Sequence, residues 1–187
     1  RLRSRGLGDV YKRQGKVIMV ILGIDPAIRT TGYGVIRTDS LSHLEILDCG
    51  VIANSPKLPH SECLRRLAGG IRELVQAFHP DYASIEEPFM GRNASTAIIL
   101  GMARGGILTA LVESGVPTYA YSPKTAKRAA VGTGMATKEQ IAILLAAELG
   151  IEIERIPLDS TDALALAICH AQLAMRPTLA EKMGKPL

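Results

Sequence analysis

An uncharged run, Val20-Ile21-Leu22-Gly23-Ile24, ends on Asp25-Pro26, and a second apolar run resumes at Tyr33-Gly34-Val35-Ile36. Short apolar runs rich in β-branched residues and bounded by turn signals read as buried strands. The stretch therefore predicts a hairpin with Asp25 at the mouth of its first strand. An Asp-Pro pair ordinarily does no more than start a turn. Three further carboxylates in matching settings downstream favour a functional role for this one.

The remaining sequence sets the limits. A chain of 187 residues is most simply one domain with room for a proper core, and its composition, without Trp and with few aromatics, suits an α/β protein. No apolar stretch reads as the roughly 18 residues that a membrane span needs. Cys49, Cys63 and Cys169 are odd in number and widely spaced, which argues against a disulfide framework or zinc site and points to a reducing, cytoplasmic setting. The net charge of +4 misleads, because Arg1, Arg3, Arg5, Lys12, Arg13 and Lys16 face only Asp9 in residues 1–18 and leave the rest near −1. That leader has no apolar period and no signal-peptide core. It reads as non-native or disordered, with Met19 as the natural start, residues 19–175 as one domain and 176–187 as a short basic tail.

In chain order, residues 44–53 read as a third strand, and Leu64, Leu67, Ala68, Ile71, Leu74, Val75 and Phe78 mark an amphipathic helix whose arginines, Arg65, Arg66 and Arg72, lie on its solvated face. Tyr82–Glu86 is again a strand ending in acids, Glu86 and Glu87, before Pro88. A short loop carries Phe89 and Arg92. Residues 94–114 predict a helix in which Gly101, Gly105 and Gly106 cost about 1 kcal/mol each and so imply close approach, by the sheet or, preferably, by a second copy of the helix. After a strand at 116–121, Ser122-Pro123 opens a helix carrying Lys124, Lys127 and Arg128. Thr137-Lys138-Glu139-Gln140 has the form of a capping box, and this basic helix, Gly-containing loop and Lys138 are suited to gripping a nucleic-acid backbone. The last helix starts near Leu158, with Asp159 and Asp162 three apart on one face. One acid there suits a helix cap and dipole; two leave something over. His170 on the same helix reads as a packed histidine.

Asp25, Glu86, Asp159 and Asp162 thus form a carboxylate set of the kind that hard cations take, and two such ions about 3.5–4 Å apart suit phosphodiester cleavage. With these residues in place, the chain resembles the RuvC family of Holliday-junction resolvases. The likeness rests on ILGIDPAIRTTGYGVI, PDYASIEEPFMGRNASTA, LGMARGGI, KRAAVGTGMATKEQ and DSTDALALAICHA. It implies an α/β RNase H-like fold, a five-stranded mixed sheet flanked by helices. It implies that Asp25, Glu86, Asp159 and Asp162 are catalytic and bind Mg²⁺, two ions with Mn²⁺ as a substitute. It puts Phe89 at the junction centre, Arg92 among the DNA-binding residues and Lys127 and Lys138 near the scissile backbone. It further implies a homodimer that nicks four-way DNA junctions symmetrically during recombination and repair, beside the branch-migration proteins RuvA and RuvB. The alternative is an RNase H-like nuclease acting on RNA. Ala27 stands where the family normally has Gly, so a left-handed turn there would be strained, and the doubled Glu86-Glu87 leaves the metal-binding acid of that strand to be distinguished.

Overall fold

Strand β3 (Met19–Asp25) is the centre of a five-stranded sheet in a computed structural model that describes residues 12, 13, 16–40, 42–88, 93–176 and 185–187. Ahead of it, β1 (Lys12–Arg13) and β2 (Lys16–Val17) pair as a separate small hairpin. The sheet continues with β4 (Thr30–Ser40), β5 (His43–Ala53), β6 (Tyr82–Glu86) and β7 (Thr118–Tyr121), in the order β5-β4-β3-β6-β7. The first three strands are antiparallel, whereas β6 and β7 run parallel to β3. Parallel neighbours need crossovers, and these are α1 (His60–Phe78) and α2 (Ala94–Glu113). The helices α3 (Pro123–Val131), α4 (Lys138–Leu149) and α5 (Thr161–Ala174) follow.

Side-chain alternation divides the core into two layers. Leu22, Ile24, Val35, Ala83 and Ile85 pack with Ile71 of α1 and Ile107 and Leu111 of α2, while Ile21 and Ile36 pack on the other face with Ile141, Leu145 and Leu164 of α4 and α5. Each fully buried Ile or Leu contributes about 1.5–3 kcal/mol. On the α5 face the central strands forgo that gain at three glycines. A Cβ on Gly23 would overlap the Ala163 carbonyl oxygen, one on Gly32 the Asp159 carbonyl oxygen, and one on Gly34 would come within 2.6 Å of Leu164 Cδ2. Without them the start of α5 could not lie flat on the ends of β3 and β4.

The local signals act as their chemistry requires. Ser122 Oγ accepts from the Thr125 amide with Pro123 in the first turn, and Thr137 and Gln140 form a reciprocal capping box. His79, the C-cap of α1, is the non-glycine residue with positive φ among those described. Ala27 therefore sits in an ordinary turn without left-handed strain, closed by Thr31 Oγ1, which accepts from the Ala27 amide and donates to the Ala27 carbonyl. One expectation is corrected: α2 is long and apolar enough to cross a membrane by length and composition alone. Its apolar residues divide instead between the core, with Ala103, Ile107, Ala110 and Leu111 buried, and an outward face on which Ile98 and Val112 are 64% and 65% exposed. Gly101 and Gly105 open onto free space and Gly106 only touches Leu64, so the sheet does not explain these glycines.

Candidate active site

The parallel pairing of β3 and β6 ends at Ile24 and Ile85, so Asp25 and Glu86 emerge side by side at the carboxyl ends of neighbouring strands. Both lie on the α5 face, and their carboxyl groups share a hydrogen bond. Burial pushes the Glu86 carboxyl up to about 7, helped by the Asp25 charge, their hydrogen bond and the Asp162 charge, with Lys127 opposing. Asp25 is likewise raised, first by burial and then by Asp162, against the bond from Glu86 and the charge of Lys138. In the metal-free protein this crowding favours a proton held between the two carboxylates.

α5 delivers the other acids. Asp162 lies in its first turn and Asp159 on the short 3-10 turn, Leu158–Ser160, that leads into it. Asp159 was expected within the helix itself; the tight approach of its carbonyl to Gly32 belongs to that preceding turn. Ser160 occupies the cap position without a side-chain capping bond, so neither acid is spent on capping. Lys127 Nζ of α3 stands 3.4 Å from Asp162 Oδ1, and Lys138 Nζ at the start of α4 is 3.1 Å from Asp159 and 3.8 Å from Asp162. Burial works against the Lys138 ammonium, but its bond to Asp159 and the surrounding acids hold its pKa above the ordinary value. Six sequence-predicted residues are thereby brought to one end of the sheet. Phe89 and Arg92 lie outside the described residues.

These donors fit a hard cation. All four are carboxylates, the ligand type that Mg²⁺ prefers. Asp162 Oδ1 is buried and lacks a hydrogen-bond partner, since Lys127 approaches it at ion-pair distance without hydrogen-bond geometry. Among the described residues no three His, Cys, Asp or Glu stand in ready-made ligand geometry. Instead Lys138 pairs with Asp159 and Asp162, Lys127 with Asp162, and Asp25 with Glu86.

The sequence reading overlooked the glycines that admit α5 and also Arg104, whose Nε donates to the Glu86 carbonyl at 3.2 Å. Isolated glycines inside strand patterns are a usable signal of close backbone approach; Arg104 in an apolar helix carried none.

Residues 21–170 match the family described as crossover junction endodeoxyribonuclease RuvC. The chain belongs to the RuvC family. The RuvC of Chloroflexus aurantiacus is 40% identical over 161 residues, covering 86% of this chain and 96% of the relative. Thermus thermophilus RuvC, solved in complex with a Holliday junction substrate, superposes with a TM-score of 0.79 at 36% identity, covering 90% of this chain and 99% of that one. The yeast mitochondrial Holliday junction resolvase Ydc2, at 15% identity and a TM-score of 0.61, shares the fold. The family is one of metal-dependent nucleases, and the segment of this RuvC-family chain that matches it contains all four acids and both lysines.

Proposed function

We propose that the chain resolves four-way DNA junctions by paired nicks, hydrolysing one phosphodiester on each of two opposed strands. The observation that carries this reading is the gathering of Asp25, Glu86, Asp159 and Asp162 at one end of the sheet, bordered by Lys127 and Lys138. The four acids are the candidate catalytic and metal-holding residues. Bound there, two Mg²⁺ ions would stabilise the attacking and leaving oxygens of the displacement.

The protein's own side chains do the rest. Asp25 and Glu86 give up their shared hydrogen bond and present charged oxygens inward. Asp162 offers the buried oxygen that has no bond to lose. Lys127 and Lys138, released from the acids, turn their ammonium groups toward the phosphate backbone, where a lysine serves as a compact point charge. In this reading Phe89 serves the junction centre and Arg92 is among the DNA-binding residues.

A four-way junction with two-fold symmetry calls for a two-fold dimer, which places two sites on opposed strands. The outward face of α2, with Ile98, Met102 and Val112 exposed and Gly101 and Gly105 open, is suited to close packing against its own copy. Residues 19–175 form the working domain in this reading, acting in the cytoplasm beside the RuvA and RuvB branch-migration proteins. The deciding experiment offers a synthetic four-way junction, a linear duplex of the same sequence and a structured RNA to the protein with Mg²⁺. Symmetric nicks in the junction alone are expected. Preferential cutting of the RNA would replace this reading with that of an RNase H-like ribonuclease.

A further inference from the structure

Arg104 lies in the middle of apolar α2, half-buried on the side of the sheet away from the four acids. A charge set among apolar groups is costly unless its donors are used. Its Nε donates to the Glu86 backbone carbonyl at 3.2 Å, while the next amide, that of Glu87, donates to the Tyr121 carbonyl of β7 at 2.9 Å. Glu86 lies beyond the last β3–β6 pair, so α2 and β7 are what hold this strand end. Successive strand residues point to opposite faces, which puts Glu86 with Asp25 and Glu87 on the Arg104 side, where its charge acts on the guanidinium.

We propose that Arg104 is a positioning residue for Glu86. By holding the carbonyl of Glu86 it fixes the direction in which that side chain leaves the strand, toward Asp25 and Asp162, and Glu87 steadies the guanidinium from their shared side of the sheet. Once Asp25 and Glu86 give up their shared hydrogen bond and are both charged, their repulsion tends to part the two strand ends, and the Arg104 bond resists it at the residue where the ladder has stopped. This inference rests on the reading of Glu86 as a working acid.

The test separates the donor from the charge. The side-chain amide nitrogen of glutamine stands as far along its chain as arginine Nε, so Arg104→Gln keeps the donor and loses the charge, whereas Arg104→Met loses both at similar length. Three quantities are measured: the cutting rate at saturating junction, junction affinity with Ca²⁺ in place of Mg²⁺, and the rise in melting temperature that Mn²⁺ induces in the DNA-free protein. Arg104→Met should cut about 10–100-fold more slowly, the range typical of groups that orient ligands, with affinity held within about twofold and a smaller Mn²⁺ shift. Arg104→Gln should remain within about threefold of the parent rate. Equal losses in the Gln and Met variants, an unimpaired Met variant, or affinity falling in step with rate would each overturn the positioning role. Should Arg104→Met fail to fold, Arg104→Lys replaces it: its donor lies one atom further out, and it must cut more slowly than Arg104→Gln. Glu86→Gln is the reference. If it still cuts, the active-site reading itself fails; if it is dead while Arg104→Met is fully active, only the positioning role is lost.

Discussion

Gly23 of β3 lies directly against the Ala163 carbonyl of α5, with no room for even a methyl group between strand and helix. That contact sets the height of α5 above the sheet, and with it the distance from Asp162 to Asp25. Gly23→Ala must therefore push backbone against backbone, since the neighbouring atoms are a carbonyl and the Ala167 amide rather than a flexible side chain. We expect a loss of at least about 1–3 kcal/mol, the usual cost of overpacking, together with reduced cutting in whatever fraction remains folded. Urea melts and junction cutting at a temperature where the variant is folded check both effects. Unchanged stability would mean that α5 can lift from the sheet at little cost.

How far this site was legible in the sequence depended on whether each contact is local. Strand, acid, proline recurs at Asp25 and at Glu86, and the short apolar runs before them place both at strand ends without knowledge of the partner strands. The capping box at Thr137 and the Ser122-Pro123 start are likewise local, and both act as their sequences suggest. The glycines on β3 and β4 signal a close backbone approach but not its partner, which lies in a helix about 130 residues further on. Arg104 was hidden for the same reason: it looks like an interruption in an apolar helix until the Glu86 carbonyl is placed beside it. The apolar length of α2 is not legible from the pattern alone, since its apolar residues are split between a buried and an exposed face.

α2 supplies the second prediction. Gly101→Leu places a large side chain in what is now open space beside the exposed Ile98 and Met102. In a monomer this changes little; across a closely packed two-fold interface it forces the helices apart. Sedimentation should show a shift from dimer to monomer, and paired nicks should give way to slow single nicks. A dimer of unchanged stability would move the interface elsewhere.

His170 gives a pH prediction. It is buried against the rings of Tyr82 and Tyr119, its Nδ1 bonds the Tyr121 hydroxyl at 2.8 Å, and its Nε2 has no partner. Burial pushes its pKa down to about 4, well below the ordinary 6.5. The unfolded chain therefore takes up the proton first, and the stability present above pH 6.5 is lost as pH falls toward 4, by about 3 kcal/mol in all. In the metal-free protein Glu86 acts with the opposite sign: its raised pKa favours the folded state at low pH, and that gain is lost as pH rises toward 7. Comparison with His170→Phe isolates the histidine. The variant should melt lower at pH 7.5, where Tyr121 loses its partner, yet its melting temperature should fall less between pH 6.5 and 4.5. Parallel curves would show that His170 is not the acid-sensitive group.

The two adjacent glutamates provide the sharpest discrimination. Glu86 shares a hydrogen bond with Asp25 and feels the charges of Asp162 and Lys127, whereas Glu87 acts on Arg104 from the opposite face of β6. Only one of them faces the other acids. Glu86→Gln should abolish metal-dependent cutting while junction binding persists, because removing a negative charge lessens repulsion from the phosphates. Glu87→Gln leaves the acid cluster intact and weakens only the electrostatic support of Arg104, so its rate should stay within about tenfold, a barrier change of roughly 1.4 kcal/mol. Single-turnover rates and junction affinities for both variants, measured at saturating Mg²⁺, give the comparison. A dead Glu87→Gln beside an active Glu86→Gln would reverse the two faces of β6, and the metal site would have to be rebuilt around Glu87.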